Sequence, residues 1–192
     1  MNSIKSHFFS KRCVQVAFGV VLTACSMLSI AEEAPAKLHE ILPDLEVWST
    51  DQALIDAVRQ QNSEGLTLAT IQERDAVWRA TSGVDDFMAE LMSSAVAKHM
   101  LTLEQSKPYF VEFFLMDNQG ANVAMTNKTS DYWQGDEEKF TESFKGGAGN
   151  TYMSDVKFDE SSQAYLVQVS IPIMDGDKAI GAMTIGVNLD EL

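Results

Sequence analysis

The chain has 192 residues, with 28 acidic side chains against 14 basic ones and a formal net charge of −14 at pH 7. A nucleic-acid binder needs a basic face to neutralise phosphates, so this balance argues against one, and it also weakens the case for a domain lying directly on an anionic bilayer. The only cysteines, Cys13 and Cys25, lie near the N-terminus, which leaves the rest of the chain without a disulfide, a thiolate nucleophile or a cysteine metal ligand.

Residues 1–31 carry Lys5, Lys11 and Arg12, no acidic residue, and an apolar run from Val14 to Leu22 that continues weakly through Ile30. A basic stretch followed by an apolar one predicts a secretory signal peptide and a periplasmic destination. Ser29 and Ala31 are small residues placed for a cut before Glu32, which would release a soluble protein. The stretch LTAC, Leu22 to Cys25, resembles a bacterial lipobox and would instead leave a lipid anchor on Cys25. The soluble form is favoured, because Met27, Leu28 and Ile30 would make an apolar start for a lipoprotein tether. An uncleaved span is disfavoured, since it needs about 20 apolar residues and Gln15, Thr23 and Ser26 interrupt this run. Without its leader the chain keeps eleven basic against 28 acidic residues, a net charge of −17. Residues 32–192 are long enough for one well-formed core.

Residues 32–43 read as a lead-in ending at Pro43, after which Asp44 or Ser49 can cap a helix. Leu45, Trp48, Ala53, Leu54, Ala57 and Val58 form its apolar stripe, and it stops between Asn62 and Gly65. A second helix is predicted from about Thr70 to Thr81 with Ile71, Ala76, Val77 and Trp78 inward. A third runs from Asp85 or Asp86 to about Lys98, with Phe87, Leu91, Met92, Ala95 and Val96 on one face. Residues 38–100 are thus a helical half. The sheet half, 108–190, begins with YFVEFFLM at Tyr109 to Met116, apolar on both faces as a central strand would be. DNQG at Asp117 to Gly120 turns the chain, and Asn122 to Thr126 returns as a hairpin partner. TSDYWQG leaves the sheet, Asp136 to Phe144 forms a short helix, and strands follow at Thr151 to Phe158, Ala164 to Ile173 and Ala179 to Val187. The DESS stretch and MDGDK serve as turns between them. Short connections make the expected fold class α+β, N-terminal helices packed on a roughly five-stranded antiparallel sheet.

The order of helices, the DNQG hairpin, the SDYWQGDE stretch and the late pair IPI…AIGAMTIGV resemble the Cache family of PAS-like extracytoplasmic sensor domains, of the single Cache type. The resemblance covers nearly all of the chain after the leader. It implies a pocket between the sheet and the segment crossing between its second and third strands. It further implies recognition of a small molecule such as an amino acid, amine or carboxylate, and signalling to a membrane partner such as a receptor or histidine kinase, with a homodimer as an open alternative. Receptors of this family usually continue into a membrane helix after the last strand, whereas this sequence ends at Leu192, so a partner protein is expected to carry the signal. The runner-up is a ligand-free structural or adaptor module of the cell envelope.

Tyr132 and Trp133 are aromatics with polar handles in a polar loop, suited to lining a small-molecule site. Asp131 and Asp136 flank them, and a carboxylate beside an aromatic suits an ammonium. For Asp136 a helix cap is the favoured reading. Thr126, Asn127 and Thr129 could donate to a ligand carboxylate or merely satisfy the turn. Tyr152, Ser154 and Tyr165 are further candidates from the sheet, with Gln168 on the face opposite Tyr165, Val167 and Val169. Arg74 and Arg79 could meet a carboxylate, although a surface ion pair is the simpler role for each. No catalytic residue, metal site or cofactor is predicted: His39 and His99 stand far apart, no nucleophile elbow surrounds Ser154 or Ser170, and GGAG at Gly146 to Gly149 lacks a phosphate-loop context.

Overall fold

The computed structural model describes residues 36–159 and 163–192; the predicted leader and three of the four DESS residues lie outside the described residues. Helix α1 (Ala36–Glu46) occupies what was expected to be lead-in, with Pro43 inside it. Leu38 and Leu45, seven residues apart and both fully buried, pin one face of α1 to the core, which offsets the backbone donor that Pro43 lacks. A 3₁₀ turn at Val47–Thr50 follows, and Asp51 then starts α2 (Gln52–Glu64) by accepting the N–H groups of Ala53 and Leu54 at 2.9 and 3.3 Å.

Thr67 caps α3 (Leu68–Ala80) through the Thr70 N–H. The inward stripe of α3 is Ile71, Asp75 and Trp78, spaced four and three, rather than the predicted run through Ala76 and Val77. Val77 is 62% exposed. The third predicted helix breaks in two at Ser94, which ends α4 (Asp86–Ser93) and caps α5 (Ala95–Glu104) through the Ala97 N–H at 3.1 Å. The break has a packing consequence. Met88 and Leu91 of α4 enter one core while Ala97 and Met100 of α5 enter another.

Strand β1 (Phe110–Met116) pairs with β2 (Asn122–Met125) through the predicted hairpin. Its turn is set by Asp117, whose Oδ1 accepts the N–H groups of Gln119 and Ala121 at 2.8 and 3.0 Å, and by Gly120 at φ 84°. After α6 (Glu138–Phe144) come β3 (Tyr152–Met153), β4 (Lys157–Asp159), β5 (Ala164–Asp175) and β6 (Lys178–Asn188). Strand order is β2-β1-β6-β5-β3, with β4 also on β5, and every pairing is antiparallel. The single strand expected at 151–158 is therefore two short pieces sharing one edge of β5, Tyr152 opposite Ser170 and Lys157 opposite Leu166. The whole is the α+β architecture that the resemblance implied, with helices on an antiparallel sheet.

Each face of the sheet has its own core. Phe113 and Leu115, Val167, Val169, Ile171 and Ile173, and Met183, Ile185 and Val187 meet α1, α2 and α5 on one face. On the other, Phe114, Met116, Met125 and Ala182 meet Ile71, Trp78, Met88, Leu91, Tyr132 and Phe140. β1 contributes large apolar side chains to both, as a central strand must.

Candidate functional site

Residues 126–137 form the segment that crosses the second face. Between Ala121 and Trp133 the chain makes a one-residue antiparallel bridge, with Asn122 N–H donating to the Tyr132 carbonyl (3.0 Å) and Gln134 N–H to the Gly120 carbonyl (2.8 Å). Gly120 and Gly135 permit this approach, because a Cβ on Gly120 would stand 2.5 Å from Gly135 Cα. Tyr132 and Gln134 are each 1% exposed, whereas Asp131 and Trp133 reach a surface cleft.

The tyrosine is a core residue as much as a lining one. Its ring packs at 5.8 Å from Trp78 and 5.4 Å from Phe87. Burial, above all, raises its pKa above the ordinary phenol value. What holds the segment down is Asp75, which the sequence reading passed over. Its Oδ1 accepts the N–H groups of Tyr132 (2.9 Å) and Trp133 (3.2 Å), and its Oδ2 pairs with Arg79 Nε at 3.0 Å. Two amides and a guanidinium thus compensate a carboxylate that is only 5% exposed. The signal was available as a charged residue in the apolar stripe of α3, four before an arginine.

Trp133 is fixed as well, its indole N–H donating to the Gln119 carbonyl at 2.8 Å. Asn122 and Gln134, both buried, donate to the Asp131 carbonyl at 3.1 and 2.7 Å. With the segment so anchored, Asp131, Trp133 and Asp136 converge with Asp75, Arg79 and Glu137 on a cleft of about 210 Å³. Its charges are unevenly paired. Asp75 is neutralised by Arg79, Glu137 lies 3.1 Å from Lys139, and Asp131 takes a hydrogen bond from Ser130 with Arg79 at 3.7 Å. Asp136 meets no hydrogen-bond or ion-pair partner among the described residues, and it does not cap α6, whose N-cap is Glu137.

The remaining candidates lie elsewhere. Thr126 Oγ1 accepts the Phe113 N–H at 3.0 Å, and Thr129 Oγ1 donates to the Asp131 carbonyl at 2.7 Å, so both hydroxyls serve the backbone. Asn127 donates to the Val111 carbonyl. Tyr152 donates to Glu138 at 2.9 Å, and burial followed by that carboxylate pushes its pKa up to about 12. Ser154 accepts the Gln168 N–H and lines a separate cleft of about 190 Å³ with Glu112 and Gln168. Tyr165 is 52% exposed and stacks edgewise on Phe158 at 5.3 Å. Of the candidates, Asp131, Trp133, Asp136 and Arg79 share the surface cleft, and Tyr132 lies behind them. His99 pairs with Asp51 at 2.9 Å, far from the segment.

The model of the methyl-accepting chemotaxis protein-like first PDC sensor domain matches residues 87–192. No curated protein matches the chain. Solved structures with a similar course include the sensor domain of the V. cholerae histidine kinase DctB, at 15% identity and a TM-score of 0.44, covering 81% of this chain and 50% of that one. The ligand-binding domain of the Pseudomonas aeruginosa amino-acid chemoreceptor PctC in complex with GABA is similar at 9% identity and a TM-score of 0.36, covering 80% and 62%. That of the Campylobacter jejuni chemoreceptor Tlp3 with 4-methylisoleucine is similar at 11% and 0.34, covering 81% and 61%. The chain spans about half the length of the first of these. Matched over more than half its length, from the start of α4 to its last residue, the chain belongs to the family of methyl-accepting chemotaxis protein-like first PDC sensor domains, a family of sensor domains rather than enzymes.

Proposed function

We propose that this is a periplasmic sensor domain of the single Cache type, spanning residues 32–192 behind an export leader, that takes a small amine-bearing metabolite in the Asp131–Trp133 cleft and reports to a membrane receptor or histidine kinase. The observation that carries this reading is the charge left over in the cleft. Glu137 is matched to Lys139, Arg79 is shared between Asp75 at 3.0 Å and Asp131 at 3.7 Å, and Asp136 has no partner among the described residues, all beside an indole fixed by its own hydrogen bond. An ammonium there gains direct pairing and cation–π attraction. A ligand so bound can signal by favouring one position of the segment relative to α3.

Titration calorimetry and thermal shift on the purified protein, across ethylamine, putrescine, amino acids and short carboxylates, test the reading. Amines at about 100 times their Kd should raise the melting temperature by about 5–10 °C. Asp136→Asn and Asp131→Asn should each remove the shift. Unchanged melting with every amine sinks the proposal.

One observation favours the adaptor reading instead. The space beneath Tyr132 is occupied by Trp78, Phe87, Phe114 and Met125, so the segment sits on a packed core. An adaptor would show no small-molecule response yet would pull down a membrane protein in cross-linking.

A further inference from the structure

Arg74 precedes the Asp75 clasp by one residue and serves a different cavity. Its guanidinium stands 5.4 Å from the centroid of the Phe87 ring, and its charge opposes the rise in the pKa of the nearby Tyr132 hydroxyl. Among the described residues no carboxylate comes within ion-pair distance of it, although Arg59 and Arg79 each have two. The Phe87 ring contacts the fork without neutralising it, which leaves guanidinium N–H groups for an anion.

The cavity that Arg74 lines is about 440 Å³, and Tyr132, Phe87, Leu91, Val96 and Val123 line it too. It lies on the Tyr132 side of the segment, whereas the amine cleft lies on the Trp133 side. Glu64 and Glu90 also line it, and both side chains are exposed, so their repulsion of a carboxylate contacting Arg74 is screened by water. A second carboxylate on the same ligand would be repelled by them without a compensating cation.

We propose that this cavity is a second binding site, for a short-chain monocarboxylate whose carboxylate sits on Arg74 and the Tyr132 hydroxyl and whose hydrocarbon tail lies along Leu91, Val96 and Val123. The proposal is independent of the amine cleft, since the two share no residue.

Calorimetric titration of the full chain with butyrate, succinate and butylamine tests it. Butyrate should bind saturably and succinate at least about 10-fold more weakly. Arg74→Gln should weaken butyrate about 10- to 100-fold, the range for loss of a charged hydrogen-bond donor. Tyr132→Phe, which keeps the packed ring, should weaken it several-fold, and Asp136→Asn should leave it unchanged. The site is refuted by absence of saturation at millimolar butyrate, by wild-type affinity in both the Arg74 and Tyr132 variants, or by loss of butyrate binding in D136N. Equal affinity for succinate refutes the assignment to monocarboxylates. Should Arg74→Gln unfold the chain, Tyr132→Phe alone decides.

Discussion

The two faces of the sheet are stabilised in different ways. The face toward α1, α2 and α5 is an aliphatic layer in which Val167, Val169, Ile171 and Ile173 alternate along β5 and meet Met183, Ile185 and Val187 of β6. The face beneath the 126–137 segment mixes aromatics with placed polar groups. Ser170 and Thr184 share a buried hydroxyl–hydroxyl bond of 2.8 Å there, and Asp75 ties α3 to the segment. The first face requires volume and apolarity, which many side chains can supply. The second requires particular donors and acceptors, because a buried polar group left without its partner costs more than the bond contributes.

The largest break in that contrast is expected from Asp75→Ala, which strands two buried amides and frees Arg79. We expect a loss of about 3–5 kcal/mol in urea unfolding, with Asp75→Asn milder because it keeps an acceptor. A loss under about 1 kcal/mol would show that packing alone holds the segment. On the opposite face, Leu115→Ala should cost about 2–5 kcal/mol as a cavity, while Leu115→Ile should cost under about 1.5 kcal/mol. Equal losses for the two would mean that this face depends on shape as strictly as the other.

A sharper comparison uses the hydroxyl pair. Ser170→Ala alone should cost about 1–3 kcal/mol by orphaning Thr184, whereas S170A with Thr184→Val should recover most of it. A double variant as unstable as the sum of its singles would deny the coupling.

The smallest effect concerns Tyr152. Its folded pKa, about 12, lies above the ordinary value of 10.0, so the folded state holds this proton more tightly than the unfolded one. The stability from that difference is complete below pH 10 and is lost as pH rises towards 12. Tyr152→Phe should therefore flatten the fall in stability over that window, measured as urea midpoints against pH. An unaltered slope would place the effect on another group.

The helical and sheet halves were legible where period and punctuation coincide: Asp85 starts α4 and DNQG turns β1 into β2, whereas α2 is capped by Asp51 rather than the expected Asp44 or Ser49, and α3 begins behind Thr67, earlier than the expected Thr70. Less legible was the direction of α3, where Asp75 rather than Val77 turns inward. Hydrophobicity alone ranks those two wrongly, and only the arrival of two N–H groups from residues 57 and 58 positions away makes a buried aspartate affordable. The site shows the same division. Polar aromatics in DYW marked the segment, but its alternation is read only once the bridge to Ala121 places Tyr132 inward and Trp133 outward.

By itself the sequence determined the element types, the turn chemistry and the α+β class, since these depend on neighbours within a few residues. The tertiary structure decided which charges are neutralised and which remain. Among the described residues Arg79 is matched by a carboxylate and Arg74 is not, Thr129 is consumed by the backbone and Asp136 is left unpaired, because pairing depends on groups that lie far apart along the chain and meet only when the crossing segment docks on α3.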